Sequence, residues 1–243
     1  MIPRDHPRYI SLRTRERLAR YAKKGIVSLE GLTAHGRGEA FDYLIGERTT
    51  ESAFLAQRTA AALLMAAHHP VISVNGNTAA LAADQIADLQ RVSGALVEVN
   101  LFHRTKKRME SVERLLQDAG VEVFCGEAER LLPLSHGRAW CRRGGIFSSD
   151  VVLVPLEDGD RCEALVTMGK TVITIDLNPL SRTARAATLT IVDELTRAVP
   201  NITNACNELS KEERDYLAVS FDNNYLLTDA IREMTARLSH ALD

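Results

Sequence analysis

Several loops of this chain bring carboxylates, amides and arginines within a few residues of one another. Glu157-Asp158-Gly159-Asp160 is one, Asp176-Leu177-Asn178 followed by Ser181, Arg182 and Thr183 is another, and Asp193-Glu194 is a third. Asn75-Gly76-Asn77 and the stretch from Asn100 to Arg104 have the same character. Arginine grips phosphate or carboxylate oxygens with two parallel donors, and ionised carboxylates accept strong hydrogen bonds. Each of these loops directly follows a short apolar run. Asn and Asp favour turns for purely local reasons, so one such loop would carry no message. Five of them, with Arg104 and Arg182 included, describe a polar active-site rim.

The elements that must position these loops are legible from the apolar pattern. Residues 71–74, 96–99, 121–124, 151–154, 172–175 and 189–192 are each of strand length, and the last three runs are near-continuously apolar. That pattern suits parallel strands buried on both faces. A helical or loop crossover separates each run from the next, as in a doubly wound parallel sheet. The fold class expected is α/β, with helical N- and C-terminal segments. We expect a single domain, with a helical part over 1–70, the sheet core over 71–193 and closing helices over 194–243. Open sheets of this kind bind ligands at the carboxyl ends of their strands, where the polar loops fall.

Three further stretches bear on chemistry. ALVTMGKT, from Ala164 to Thr171, fits a relaxed phosphate-loop pattern, but in reversed context. A phosphate loop runs from strand to helix, whereas here a helix precedes Gly169-Lys170 and a strand follows. Lys170 is therefore expected at the amino edge of the sheet. Next, a short helix is expected from the cap residue Ser28, and then Gly36-Arg37-Gly38 stands with His35, Glu39 and Asp42. Its glycines suit either close approach to a ligand or a tight connection between helices. Residues 127–145, with Arg138, Trp140, Arg142 and Arg143, are irregular and read as a lid or as a surface excursion.

Thr50 is expected to cap a helix to about Ala67 whose small residues suit close packing, in the core or across a dimer interface. The 45% apolar content is ample for a core in 243 residues. A net charge of −2 argues against a nucleic-acid binder, which carries a basic footprint. The basic helix over 11–24 presents either a solvated face or a supply of phosphate-binding cations. Cys125, Cys141, Cys162 and Cys206 form no paired metal spacing and read as reduced thiols. The apolar stretch near 60–67 falls short of the ~20 residues that span a bilayer, and the first residues form no signal core. A cytoplasmic protein with no membrane and no nucleic-acid partner is expected.

Long strings carry a specific likeness: HPRY from His6 with Ser11-Leu12, GLTAHGRGEAFDYLIGE from Gly31, PVISVNGNTAAL from Pro70, EVNLF from Glu98, Asp150 to Arg161, and Lys170 to Val192. On these the chain resembles the archaeal phosphopantothenate synthetases, or 4-phosphopantoate–β-alanine ligases. The likeness runs from about Ile2 to Asp193 and fades in the carboxyl-terminal helices. Departures are few: Cys162 stands for Thr, His103 for Tyr, and Glu194 for Asn.

The resemblance implies a Rossmann-like fold, a homodimer, and ATP as co-substrate with Mg²⁺. It implies condensation of 4-phosphopantoate with β-alanine to 4′-phosphopantothenate, AMP and pyrophosphate, toward coenzyme A. It places the nucleotide on Arg15, Arg37, Asp176, Leu177, Asn178, Arg182, Thr183, Asp193 and Glu194. Charge developing on phosphorus calls for arginine, which makes Arg37 a catalytic candidate. Asp158 and Asp160 are candidates for the base that frees the amine. Their loop is either a Mg²⁺ site or a solvated helix cap. For the substrate phosphate, Asn75, Asn77 and Arg104 are candidates. A nucleotide-binding regulator without turnover is the alternative; a dinucleotide enzyme is disfavoured because no strand runs into GxGxxG.

Overall fold

In the computed structural model, which describes residues 2–6 and 8–240, the chain begins with α1 Tyr9–Lys23, α2 Leu29–Ile45 and α3 Glu51–Ala66. It continues through β1 Pro70–Val74, α4 Gly76–Ser93, β2 Leu96–Val99 and α5 Lys106–Asp118. A short antiparallel ribbon, β3 Glu129–Arg130 with β4 Trp140–Cys141, leads into β5 Val151–Leu153, α6 Gly159–Thr167, β6 Thr171–Ile175, α7 Arg182–Ala186 and β7 Leu189–Ile191. The helices α8 Leu195–Glu208, α9 Lys211–Leu217 and α10 Asn223–Ser239 follow. Pro7 of the HPRY string and residues 241–243, the end of the expected closing helices, lie outside the described residues.

The main sheet has five strands in the order β2-β1-β5-β6-β7, every pairing parallel. Strand residues alternate between two apolar layers. Ile72, Val74, Leu153, Ile173 and Leu189 join the layer built with Ala60, Leu64, Ile86 and Ile202 of α3, α4 and α8. Val71, Val152, Val154 and Val172 join Cys162 and Leu165 of α6 and Ile146 on the other side. Burial on both faces explains the near-continuous apolar runs of β5, β6 and β7.

The sixth expected strand, over 121–124, does not extend the sheet. Only one parallel bridge forms, Val97 with Val123, with the Phe124 amide donating to Val97 O at 2.7 Å. Gln90 of α4 takes the neighbouring backbone instead. Its Nε2 donates to Glu122 O and its Oε1 accepts from the Glu122 amide, both at 2.8 Å. A side chain thus satisfies groups that a ladder would otherwise have used.

A second difference concerns Gly36-Arg37-Gly38. These residues lie inside α2, a continuous helix of 17 residues capped by Ser28, rather than in a connection or loop. Two interior glycines weaken a helix by roughly 0.5–1 kcal/mol each. Tertiary contacts along α2 offset that cost: Glu39, Asp42 and Ile45 are buried, and Arg15 and Arg197 bind the two carboxylates. Glycine is sterically needed earlier, at Gly31, where a Cβ would lie 2.4 Å from Asn77 Oδ1.

Lys170 lies immediately before β6, at the amino edge, as the reversed phosphate-loop context implies. Its ammonium donates to Phe147 O at 2.6 Å and Ser149 O at 2.8 Å.

Candidate active site

The strand order reverses between β1 and β5, so their carboxyl ends frame the crevice where open α/β sheets take ligands. Asn75 spans it. Its Oδ1 accepts from the Thr78 amide at 3.0 Å and caps α4, while its Nδ2 donates to Pro155 O and Leu156 O, each at 3.0 Å. The loop so held carries Leu156 at φ 54°, a left-handed conformation that disfavours any residue with a side chain.

Beyond Leu156, the Glu157 carboxylate is 1% exposed and lies between two arginines. Arg161, one helical turn on and fully buried, pairs with Glu157 and donates to Ser73 Oγ at 3.0 Å. Arg138, from the irregular 127–145 stretch, donates to Glu157 Oε2 at 3.2 Å, Asp158 Oδ2 at 3.0 Å and Asn100 O at 3.3 Å. Removing one partner from such a buried set leaves an uncompensated charge, so its members are retained together. Asp160 pairs with His136 Nε2 at 2.7 Å. Burial opposes its ionisation, but the His136 bond and the Arg161 amide outweigh that and hold its carboxyl below the usual range.

At the ends of β6 and β7 a second network faces α1 and α2. Asp176 accepts from the Asn178 amide at 2.9 Å and from Ser181 Oγ at 2.5 Å. Burial pushes its carboxyl up, opposed by these bonds and by the charge of Arg37. Asp193, 1% exposed, accepts from Thr49 Oγ1 at 2.6 Å, Gln57 Nε2 at 2.8 Å, Arg197 Nε at 2.9 Å and the Glu194 amide at 2.7 Å. Arg197 also grips both oxygens of Asp42. Burial alone would lower its basicity, but the two carboxylates raise it above the ordinary value. Glu194 caps α8 through the Thr196 amide at 2.6 Å, and burial pushes its carboxyl up. Arg15 of α1 donates through Nε to both oxygens of Glu39, at 3.0 and 2.9 Å, beside Tyr43.

The structure therefore brings Arg15, Asp176, Leu177, Asp193 and Glu194 along the stretch of α2 from Arg37 to Asp42, with Gly38 facing Leu177. Arg37 is exposed on that helix. Asn178 turns its Oδ1 to the Leu180 amide. Thr183 Oγ1 donates to Glu157 O at 2.8 Å, which links this network to the crevice. Arg182 packs on Gly159 through its Cβ and reaches out to Glu163.

The substrate candidates are not gathered in one place. Asn75 is engaged as described, and Asn77 donates to Gly31 O at 2.8 Å. Arg104 stands in a separate cleft at the end of β2, beside Arg142. Sequence reasoning singled out Arg138 only as part of the irregular 127–145 stretch, without its carboxylate partners, and missed Arg161 and Arg197 as site residues. The spacing of Glu157 to Arg161 and of Asp193 to Arg197, four residues each, is a usable signal. Nothing in an irregular segment points Arg138 to Glu157 and Asp158.

Among the described residues, no group of three or more His, Cys, Asp or Glu is placed to hold a metal ion. The acidic loop does not fit a protein cage for Mg²⁺, because Glu157, Asp158 and Asp160 are already bound by Arg161, Arg138 and His136. Burial pushes the Cys141 and Cys162 thiols up to about 12, so neither supplies a thiolate at neutral pH. No helix among the described residues is long and apolar enough to cross a membrane.

The chain is 58% identical over 243 residues, all of both sequences, to a 4-phosphopantoate–β-alanine ligase of Methanospirillum hungatei. It is 54% identical to the like-named protein of Methanosarcina mazei, over 98% of this chain and 95% of the relative. For that of Thermococcus kodakarensis the identity is 47%, over 98% and 94%. The match thus continues past Asp193, through α8 and α9. The family model for phosphopantothenate/pantothenate synthetases matches residues 52–237, into α10. The chain belongs to the phosphopantothenate/pantothenate synthetase family.

Proposed function

We propose that this protein joins 4-phosphopantoate to β-alanine with ATP, giving 4′-phosphopantothenate, AMP and pyrophosphate for coenzyme A synthesis. The observation that carries the reading is end-to-end identity of 58% with a protein of that name. The geometry supports it with cations and carboxylates converging at the carboxyl ends of β6 and β7.

The substrate carboxylate attacks the α-phosphorus and displaces pyrophosphate. The β-alanine amine then attacks the acyl carbon of the mixed anhydride, and AMP leaves with the bond electrons. Arg37 and Arg15 are the side chains we assign to the phosphates. Arg37 is exposed, and Arg15 keeps a side-chain exposure of 45% although Glu39 orients it. Orientation before the reaction is what makes such charge stabilisation effective. Asp176 and the Asp193-Glu194 turn shape the nucleoside end, and Asn178, Arg182 and Thr183 line the same rim.

Asp160, held low by His136, is a weak proton acceptor. Asp158, half exposed with one oxygen on Arg138, is the carboxylate we assign to the amine. Mg²⁺ would arrive with the triphosphate, since the acidic loop is occupied by cationic side chains. We propose too that the protein is a homodimer, as the resemblance implies, and that it works in the cytoplasm.

The test is co-substrate dependence. AMP release should require 4-phosphopantoate and β-alanine together. ATP binding without AMP release under any combination would instead favour a regulator.

A further inference from the structure

A cleft of about 710 Å³ opens at the carboxyl end of β2, outside the network assigned to the nucleotide. One face of α5 lines it through Lys106, Met109, Glu110 and Glu113, four positions at helical spacing. Arg104 and Arg142 stand in the same wall, with Phe102 and Trp140 as exposed aromatic surfaces.

The electrostatics of this cleft are incomplete. Arg104 is half buried, yet its guanidinium has as hydrogen-bond acceptor, among the described residues, only the Met109 sulfur at 3.5 Å. A thioether is a weak acceptor and brings no counter-charge. Burial, and then Arg142, work against the Arg104 charge. Arg142 is itself 6% exposed. It spends Nη2 on Glu113 at 2.9 Å and Nε on Gly126 O at 3.1 Å, while its buried Nη1 has no partner. Lys106 adds a third cation at the first residue of α5, the positive end of that helix. Buried donors left unsatisfied are costly, so two adjacent guanidiniums with free donors favour an anionic ligand.

The backbone here is also held firmly. Glu98, 1% exposed, accepts from the Arg142 amide and the Ile146 amide at 2.8 Å each. Asn100 Nδ2 donates to Trp140 O at 2.9 Å. A Cβ on Gly137 would lie 2.4 Å from Phe102 O, so that strand end and the 127–145 segment meet in close contact. These contacts fix the two arginines before any ligand arrives.

We propose that this cleft binds the phosphate monoester of the acid substrate, with Arg104 and Arg142 on its oxygens. Phe102 and Trp140 then face the apolar dimethyl carbon of the pantoate skeleton. The proposal rests on the ligase reading for the identity of the phosphate ester. It moves the phosphate away from Asn75 and Asn77, whose side chains bind backbone.

Calorimetric titration of 4-phosphopantoate into wild type and Arg104→Gln, run without ATP, tests the site apart from turnover. At least a tenfold weaker affinity is expected for the variant, with partial recovery in Arg104→Lys and an unchanged melting temperature. In steady state, KM for 4-phosphopantoate should rise at least tenfold while KM for ATP stays within twofold. The preference for 4-phosphopantoate over unphosphorylated pantoate should shrink by a similar factor. Equal affinity and equal preference in wild type and Arg104→Gln would overturn the site while leaving the ligase reading intact. Arg104-dependent binding in a protein that never releases AMP would keep the site and remove the ligase reading. Competition by inorganic phosphate as strong as by the ester would show an adventitious anion site and also overturn the proposal.

Discussion

Asp193 and Arg197 form the joint on which β7, α8 and α2 meet. Arg197 Nε donates to Asp193 Oδ1 at 2.9 Å, and its outer nitrogens take both oxygens of Asp42. Asp193 is the buried member, and its two oxygens receive four donors. Its carboxylate is spent on protein groups, so its part in the proposed nucleotide site is to fix the Asp193-Glu194 turn.

Asp193→Asn should therefore cost stability before anything else. An amide nitrogen would face donors, and Arg197 would lose one of two counter-charges. A loss of about 3 kcal/mol is expected, which lowers the melting temperature by about 6–12 °C in a chain of this size. Thermal unfolding checks this; an unchanged melting temperature with lost ATP affinity would make Asp193 a direct ligand instead.

Arg37 should behave in the opposite way. It is exposed on α2, where surface substitutions move stability by no more than about 0.5 kcal/mol. Arg37→Ala should keep its melting temperature and lose at least about tenfold in kcat/KM, part of it in kcat. Arg37→Lys should recover only some, because an ammonium lacks the planar fork. Normal kcat in folded Arg37→Ala would remove this residue from the site.

Lys170→Ala should leave ATP affinity untouched, because Lys170 sits at the opposite edge of the sheet. Its two carbonyl partners, Phe147 O and Ser149 O, make it a clamp on the segment before β5. A stability loss of about 2 kcal/mol is expected, typical of hydrogen bonds from a charged group. Equilibrium unfolding measures the first effect and nucleotide titration the second.

How much of this was legible beforehand follows from what each element depends on. Strands β5, β6 and β7 are plain because burial on both faces demands near-continuous apolar runs, and β1 and β2 follow from the regular alternation with helices although buried Ser73 and Glu98 interrupt them. Residues 121–124 carry the same signal, yet Gln90 of α4 claims the Glu122 backbone. That contact depends on three-dimensional placement and leaves no trace in local sequence. Glycine arithmetic misled at Gly36 and Gly38, where buried Glu39 and Asp42 keep α2 helical. The acidic loop after β5 was found, but its cationic partner Arg138 comes from an irregular segment 19 residues before Glu157. Asx-rich strand ends thus marked the rim, while the arginines that neutralise its buried carboxylates needed the fold.

Asp150 gives a pH-dependent prediction. Its carboxylate accepts from the His68 and His69 amides at 2.7 and 2.9 Å and pins the turn that enters β1. Burial opposes ionisation, but these backbone bonds win and hold the carboxyl below its ordinary 3.8. A depressed acid contributes stability that is present above the unfolded value and lost as pH falls through the folded one. Asp150→Ala should thus be less stable than wild type at pH 7, by about 2 kcal/mol. The gap should narrow below about pH 4. A gap that stays constant from pH 7 to pH 3 would show that packing, not charge, is what the variant loses.

The proposed reaction turns on attack by the substrate carboxylate at the α-phosphorus of ATP. 4-Phosphopantoate labelled with ¹⁸O in its carboxylate tests that step directly. After reaction with ATP and β-alanine, mass spectrometry should find one labelled oxygen in AMP, with unlabelled pyrophosphate and stoichiometric 4′-phosphopantothenate. Label in inorganic phosphate, accompanied by ADP, would place the attack at the γ-phosphorus and contradict the mechanism.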